Sequence, residues 1–448
     1  MKRKLVLHRR TLWHGIALLL ACGMLSGCAL TAKDTSAPTV VAGVAFTGSV
    51  HGGQQPVSGA RIQLYAAGNT GYGSAYSYTS GSSLIGTTTV LSDSGGNFSI
   101  TGDYTCPTAS TPVYIVATGG NPGLSQANTS IALMTALGPC GNLTASTNIS
   151  INELTTVASV WALSPFMTGI GNVGTSSTNT SGLLNAFAAV KKVVDPASGF
   201  VAGPALPPGA SLPVSKINTL ANILASCVNS SGGSSGDGSA CGTLFSNSKV
   251  AGSAAPADTI TAALNIAQHP NANVVGLTGL STPNAPFQPT LSRAPNDFSL
   301  VISYSAGGFS APRAIAVDPA ANVWVTNSAS NTVTEMDNSG AVLSGLAGYA
   351  AGSMNVPSAI AIDPAGNAWI ANTGNSTVTE LTSAGTSSNI FSGGSMSAPS
   401  SIAIDGFNNV WITNSGNSSL TRINQAGTLT NYTGTGISSP IAITINPK

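Results

Sequence analysis

Charged side chains are scarce in this chain of 448 residues. Asp, Glu, Lys and Arg make up 6% of it, whereas about 25% is usual in globular proteins. Nucleic acid is therefore excluded as a partner, because nucleic-acid binding requires a basic face. Solubility has to come from Ser, Thr, Asn and Gly, and such a surface suits neutral, hydroxyl-rich or protein partners.

The chain also lacks a membrane-spanning apolar run at its start. Residues 15–25 are apolar but too short to span a bilayer as a helix, and a basic segment precedes them. The run ends in Leu-Ser-Gly-Cys at residues 25–28, which resembles the lipobox of bacterial lipoproteins. The resemblance implies a signal peptide at 1–27, a tether at 28–39 and membrane anchoring through lipidated Cys28, in the bacterial cell envelope. An ordinary secretory signal is the alternative.

Histidine is also scarce in this chain, with four residues in all. Cleavage before Cys28 would remove two of the four histidines and leave His51 and His269. It would also remove five of the 15 Lys and Arg but none of the 14 Asp and Glu, for a net charge of 10 − 14 = −4. No Gly-x-Ser-x-Gly segment lies between a strand and a helix with a histidine nearby, so no Ser-His-Asp set can be assigned. We expect both histidines to be exposed and inert, and we predict no catalytic residue.

Four cysteines remain after the lipobox: Cys106, Cys140, Cys227 and Cys241. In an oxidising compartment they can form two disulfides with three connectivities. We favour the pairings that are local in sequence, Cys106–Cys140 and Cys227–Cys241. A zinc site is excluded, because the cysteines have no close partner cysteine or histidine.

Residues 40–120 alternate in the manner of β-strands. The segments Pro-Val-Ser-Gly-Ala at 56–60 and Ser-Asp-Ser-Gly-Gly-Asn-Phe at 92–98 resemble the carboxypeptidase regulatory-like family. That resemblance implies a small β-sandwich that serves as a spacer or an adhesive module.

Residues 121–290 change to helical periods. Leu154, Val157 and Trp161 recur at spacings of three and four, after a Ser150 that could cap the helix. Similar patterns occupy 183–194, 214–228 and 258–268. We predict a small α-helical domain without a motif that carries chemistry.

Residues 291–448 contain three copies of one sequence motif. An Ile-Ala-Ile or Ile-Ala-Val strand leads to an aspartate, and a tryptophan follows six residues later. The aspartates Asp318, Asp363 and Asp405 are 45 and 42 residues apart, and a strand-rich repeat of about 40–45 residues is typical of a β-propeller blade. This repeated motif resembles the NHL repeat and the repeat of virginiamycin B lyase.

This resemblance implies a partial NHL-type propeller of three full blades. Residues 441–445 would add the inner strand of a fourth blade, and 298–304 could add an outer one. The predicted fold is thus multidomain and mainly β, with a β-sandwich, a helical middle domain and the propeller arc. Closed propellers need about 4–8 blades, so open edges could lead to self-association. We favour an open or partly closed arc in one chain over a two-chain ring or a shortened, marginal arc.

The repeats point to a binding face rather than to an active site. Virginiamycin B lyase-like catalysis uses a histidine and metal-binding acids, and no histidine lies in these repeats. Asp and Asn in the turns could supply some of the about six to eight oxygens of a Ca²⁺ site, but we predict no metal site and no cofactor. Polar residues that recur with the blades are the candidates for ligand contact, with hairpin capping as the alternative for the asparagines: Arg313, Asn327, Ser358, Asn372, Ser400 and Asn414.

The function predicted is a membrane-anchored, non-enzymatic lipoprotein that presents a propeller module to protein or glycan partners. A metal-assisted lyase or hydrolase of the virginiamycin B lyase-like class is one alternative, and a structural envelope protein is another.

Overall fold

The computed structural model describes residues 40–76, 83–86 and 88–445. The signal peptide, Cys28 and the tether, all predicted from sequence, lie outside these residues. Within the described part, none of the helices has the length and apolarity to cross a membrane.

Two β-sheets face each other in the N-terminal part of the chain. In the first, β2 pairs with β3, β6 and β10, and its pairing with β10 is parallel. The second has the antiparallel order β5-β4-β8-β9, and a short pair β1-β7 lies apart. The strands are β1 Val41–Ala42, β2 Phe46–Gly52, β3 Gln55–Pro56, β4 Arg61–Ala66, β5 Val90–Leu91, β6 Asn97–Ile100, β7 Thr105–Cys106, β8 Pro112–Thr118, β9 Ala132–Pro139 and β10 Asn148–Ile151.

Strand β8 is buried on both of its faces. Val113 and Ile115 lie in the core between the two sheets, whereas Tyr114 and Val116 lie in a second core on the opposite face. Alternate side chains of a strand point to opposite faces, so a strand with no polar face must be covered twice. The second sheet is therefore the middle layer of three, and the helices form the third layer.

Six helices cover the second sheet and its surroundings in the described residues: α1 Glu153–Leu163, α2 Thr180–Val193, α3 Val214–Val228, α4 Ala240–Asn247, α5 Thr259–Gln268 and α6 Val274–Thr278. Asn152 caps α1 by accepting a hydrogen bond from the Thr155 N–H, so the predicted cap at Ser150 is wrong. Asp258 caps α5 by accepting a hydrogen bond from the Thr261 N–H. Three short strands lie among the helices: β11 Met167–Gly169, β12 Asn172–Val173 and β13 Ala210–Ser211.

The free edge of β9 is occupied by hydroxyl groups from the helices. The Met134 N–H donates to Thr156 Oγ1 and the Ala136 N–H donates to Ser159 Oγ, both at 2.9 Å. Two residues before Met134 on the same edge of β9, the Ala132 N–H donates to Thr259 Oγ1 at 2.9 Å. An unpaired strand edge buried in a protein leaves costly N–H and C=O groups. Side chains of α1 and α5 thus replace a fifth strand.

The predicted boundary at residue 120 is not where the β structure ends. Strand β9 pairs with β8 and β10 pairs with β2, and both follow that boundary. The buried sequences of β9 and β10 do not show the helical period. Because both strands lie among segments that do show it, the sequence pattern does not mark them as strands. The helices share one core with the sheet, so the layer they form is continuous with the sandwich.

Both disulfides predicted from sequence are present. Cys106–Cys140 joins β7 to the end of β9, and Cys227–Cys241 joins the end of α3 to the start of α4. In the unfolded-chain entropy account, closing loops of 34 and 14 residues stabilises the folded chain by about 3–4 kcal/mol for each disulfide.

The three repeats form three antiparallel sheets. The first has three strands and two isolated bridges in place of a regular fourth strand, and the second and third have four strands each. Neighbouring sheets share apolar cores, as blades of a propeller do. The strands are β15 Pro312–Val317, β16 Val323–Asn327, β17 Thr332–Met336, β18 Pro357–Ile362, β19 Ala368–Asn372, β20 Thr377–Leu381, β21 Ser387–Phe391, β22 Pro399–Ile404, β23 Val410–Asn414, β24 Ser419–Ile423 and β25 Leu429–Thr433.

The predicted strands of a fourth blade are not found in the described residues. In the 298–304 segment, β14 Ser303–Tyr304 pairs with β13 of the helical layer instead. Residues 441–445 have no strand assignment. They lie beside β22 nevertheless, because the Ile443 N–H donates to Ser401 Oγ at 3.3 Å. Among the described residues, this segment has no second strand with which to form a β-ladder.

The hydroxyl bonds at the edge of β9 predict a measurable loss of stability. Thr156→Val removes the acceptor of the Met134 N–H and leaves that group buried without a partner. We expect the free energy of unfolding to fall by about 1–3 kcal/mol, as measured by denaturant unfolding.

The matched control is Thr243→Val, because the Thr243 hydroxyl bonds only to the Ser239 carbonyl of its own helix. A Thr156→Val variant as stable as the control would contradict this account of the edge.

Candidate functional site

The repeated aspartates bind the indole N–H of their own repeat. Each carboxylate also accepts from the backbone and side-chain N–H of an asparagine four residues later. The aspartate Oδ2 to tryptophan Nε1 pairs are Asp318–Trp324 at 3.1 Å, Asp363–Trp369 at 3.2 Å and Asp405–Trp411 at 2.9 Å. These oxygens are therefore engaged in holding the turn and the tryptophan.

Each tryptophan also packs on an aromatic ring of its own blade. The ring centroids are 5.3–5.7 Å apart, and the partners are Tyr349, Phe391 and Tyr432 on the outer side of each sheet. The aspartate at one end and the aromatic ring at the other fix the indole in one orientation.

The three predicted asparagines are fully buried. Asn327, Asn372 and Asn414 have no exposed surface. In each, Nδ2 donates to two hydroxyls of the following strand, as Asn372 does to Thr377 and Thr379. They pin the hairpin between the second and third strands, so no surface for a ligand remains on them.

Both of the predicted serines join neighbouring repeats. Ser358 Oγ donates to the Pro399 carbonyl at 3.1 Å, and Ser400 Oγ donates to the Pro440 carbonyl at 2.8 Å. Arg313 stands at the same position of the first repeat and is exposed. Of the six predicted binding residues, Arg313 alone has an exposed side chain.

The strand that carries Arg313 has an uncovered apolar face, formed by Arg313, Ile315 and Val317. Ile315 is 67% exposed, whereas the equivalent Ile360 and Ile402 are 8% and 7% exposed. In the second and third repeats these isoleucines pack on the preceding blade. No blade precedes the first repeat in the described residues, so the same strand face is open there.

One acidic cluster lies inside the first blade. Asn322 Nδ2 donates to Asp318 Oδ2 and to Glu335 Oε1, each at 3.0 Å, and the Tyr349 hydroxyl donates to Glu335 Oε2 at 2.8 Å. Burial, and then the charge of Asp318, raises the pKa of Glu335. Burial and Glu335 together raise the pKa of Tyr349 to about 12. The carboxylate oxygens already have donors, and throughout the described residues no three His, Cys, Asp or Glu side chains gather in a way that could hold a metal ion.

A cleft of about 320 Å³ lies on the outer face of the first sheet. Its floor comes from β2 and β10, because Ser49 and His51 point away from the core and Ser150 pairs beside Ser49. The loop after α2 forms one wall and is tied to β10, since the Ser150 N–H donates to the Pro196 carbonyl. We name this site the sheet cleft. Its full lining is Ser49, His51, Gly53, Gln54, Ser150, Asn152, Ala197, Ser198, Phe200, Pro286 and Phe287.

A buried carboxylate supports the turn at one end of the sheet cleft. Both oxygens of Glu153 accept from the Gly53 N–H, at 3.0 and 2.9 Å, and the side chain is fully buried. Burial raises the pKa of Glu153 to about 7, although the Gly53 hydrogen bond opposes the shift. Gly53 has φ +63°, a left-handed conformation that suits glycine.

The two histidines have different surroundings. His269 is exposed, as predicted, and lies against the Asn265 carbonyl. His51 is half-buried in the sheet cleft, so the expectation of exposure is wrong for it. Burial lowers the pKa of His51, which favours the neutral ring. Ser198 lies in the same cleft, but its hydroxyl donates to Asp195 at 2.8 Å and not to His51.

Comparisons with known proteins give only local similarity. No protein-family profile matches the chain, and no curated protein matches it. Virginiamycin B lyase from Staphylococcus aureus matches at 19% identity and TM-score 0.27, over 30% of this chain and 45% of that one. A streptogramin B lyase matches at 18% identity and TM-score 0.25, over 29% and 42%. A chain of a nidogen/laminin complex matches at 20% identity and TM-score 0.26, over 30% and 52%.

This chain thus spans about half the length, or less, of these solved structures. The strand pairing and the shared apolar cores of the repeats define the blades.

No sequence motif indicates the sheet cleft. Its residues come from four separate stretches of the chain, and β10 lies in the part for which the sequence predicts helices. One signal was available, because Thr47, Ser49 and His51 alternate with the buried Phe46, Gly48 and Val50. That alternation marks a strand with one polar face.

Glu153 predicts a pH-dependent stability with a definite sign. Its pKa is about 7 in the folded chain and 4.5 in its ordinary state. Between these values the folded chain binds a proton that the unfolded chain has lost. The free energy of unfolding therefore falls as pH rises through this window, by about 3 kcal/mol in all.

Glu153→Gln keeps an acceptor for the Gly53 N–H and cannot ionise. We expect this variant to lose that part of the pH dependence in denaturant unfolding between pH 4.5 and 7, the window that these pKa values define. The exposed Asp103→Asn is the control. An unchanged slope in Glu153→Gln would contradict this account, because it would mean that Glu153 has the same pKa in the folded and the unfolded chain.

Proposed function

We propose that this chain is a lipid-anchored extracytoplasmic protein that presents its propeller arc as a non-enzymatic binding module. The observation that carries the proposal is the uncovered apolar face of the first repeat. The same strand face is closed by a neighbouring blade in the other two repeats. A surface built to receive a blade-like partner is therefore left free to receive another molecule.

The chemistry of the uncovered face favours a protein partner over a glycan at the arc. Ile315 and Val317 are 67% and 59% exposed, and apolar area gains about 25 cal/mol for each Å² removed from water. Arg313 adds one positive charge at the start of the strand. Protein interfaces commonly combine such aliphatic contact with an arginine at the rim.

The two disulfides support an extracytoplasmic location. Disulfides persist in oxidising compartments and are rare where thiols are kept reduced. All four cysteines of the pairs are buried, as expected of structural bridges. Lipidation at Cys28 would hold such a protein at a membrane.

The anchoring half of the proposal predicts that Cys28 takes up fatty acid. Cells that express the full chain with labelled palmitate should yield a labelled protein, and Cys28→Ser should remove the label and release the protein from membranes. Cys22→Ser is the control, because Cys22 lies inside the leader. Wild-type protein without label would refute the anchor.

The binding half predicts that Ile315→Asp abolishes capture of the partner. The mature chain with Cys28→Ser would be immobilised and exposed to cell-envelope extract, with bound protein identified by mass spectrometry. Ile315 is already exposed, so we expect Ile315→Asp to fold normally and to lose the partner. The matched control is Ile390→Asp, at a side chain that is 48% exposed on the outer strand of the second repeat.

Each result of this experiment has a distinct meaning. A second copy of the chain as the captured protein would identify the partner as self. Equal capture by Ile315→Asp and Ile390→Asp would overturn the role of the uncovered face and favour a structural envelope protein.

A further inference from the structure

The sheet cleft contains polar side chains that have no hydrogen-bond partner within the described residues. Ser49, His51 and Gln54 make no side-chain hydrogen bond there, and neither does the Ser150 hydroxyl. By contrast, Asn152 and Ser198 in the same lining are held by Thr155, Gly199 and Asp195. The cleft thus combines fixed walls with free donors and acceptors.

The free groups can both donate and accept hydrogen bonds. Each serine hydroxyl does both, the Gln54 amide does both, and a neutral imidazole has one donor and one acceptor nitrogen. Burial lowers the pKa of His51 and so favours this neutral form. A ligand that matches them must itself carry several groups that donate and accept, as hydroxyl groups do.

The lining has no formal charge. None of its residues is Lys, Arg, Asp or Glu. Glu153 lies behind Gly53 and is fully buried. Asp195 belongs to the wall loop and is partly exposed, and its carboxylate accepts from the Ser198 hydroxyl and the Ala197 N–H. An anionic ligand would find no cation there, and a cationic one no free carboxylate. The matching ligand is therefore neutral.

An exposed aromatic ring completes the site. Phe200 lines the cleft and is 66% exposed, and Pro286 and Phe287 supply the apolar part of the lining. A pyranose ring has one face of C–H groups that can stack on such a ring while its hydroxyls bond to the floor. Binding sites usually combine apolar walls with a few convergent polar groups in this way.

We propose that the sheet cleft binds a neutral saccharide unit of a glycan, with Ser49, His51, Gln54 and Ser150 bonding its hydroxyls and Phe200 stacking on its ring. This site is separate from the uncovered face of the first repeat. It would give the protein a second binding activity, independent of the protein partner proposed for the arc.

The test uses the full mature chain with Cys28→Ser and defined sugars. The probes are glucose, galactose and N-acetylglucosamine as neutral sugars, with glucuronic acid and glucosamine as charged counterparts. Saturation-transfer NMR and calorimetric titration would measure binding. We expect at least one neutral sugar to bind at millimolar or lower concentration and to bind more tightly than either charged sugar.

Variants then locate the site. His51→Ala and Gln54→Ala should each weaken binding by about tenfold, the loss of one or two hydrogen bonds. The controls are His269→Ala and Gln55→Ala, because His269 lies elsewhere and Gln55 is the exposed neighbour that does not line the cleft. Phe200→Ala should weaken binding without changing thermal unfolding, since most of its ring is exposed.

Three results would overturn the proposal. One is the absence of binding by every neutral sugar, the second is tighter binding of a charged sugar, and the third is equal binding by Gln54→Ala and Gln55→Ala. None of these bears on capture by the uncovered face, which Ile315→Asp tests separately. The two proposals can therefore fail independently.

Discussion

The layered part of this protein depends on one set of hydrogen bonds at the outer edge of β9. There, hydroxyl groups of α1 and α5 take the place of a neighbouring strand. Strand β9 is buried and has no strand on its outer side, so its N–H and C=O groups need partners. Thr156, Ser159 and Thr259 provide them. This bonding explains why the helices share a core with the sandwich. It also explains how a protein with so little charge closes a sheet edge, which other proteins often protect with lysine.

Much of the repeat region could be predicted from sequence, because each repeated residue has a local task. The aspartates begin turns and bind a tryptophan six residues later. Outside the repeats, the disulfides could be predicted because they join cysteines that are close in sequence. Helix α3 begins and ends at the predicted residues for the same reason, since its apolar period is local. The strand pairing of β2 with β10 joins residues about a hundred positions apart, and no local pattern indicates such a partner.

The candidate sites show the same division between local and distant information. Recurrence selected Asn327, Asn372 and Asn414 as candidates for ligand contact, but the three are buried in hairpins. Recurrence marks the residues that every blade requires for its own structure. The uncovered face is not apparent from its strand, because β15 shares its apolar pattern with β18 and β22 and differs mainly in Arg313. Its exposure comes from the absence of a neighbouring blade in the described residues. The sheet cleft depends on a loop that folds back over β10, a contact between distant segments.

The open strand of the first repeat also bears on how such a chain can change in length. In repeat arrays each unit contacts only its neighbours, so units can be gained or lost without redesign of the rest. A duplicated segment placed ahead of Pro312 could pack on the exposed face of β15. Ile315 would then make the contact that its equivalents make with the preceding blade in the later repeats. The arc is in this sense a growing point, at which gene duplication could extend the propeller one blade at a time.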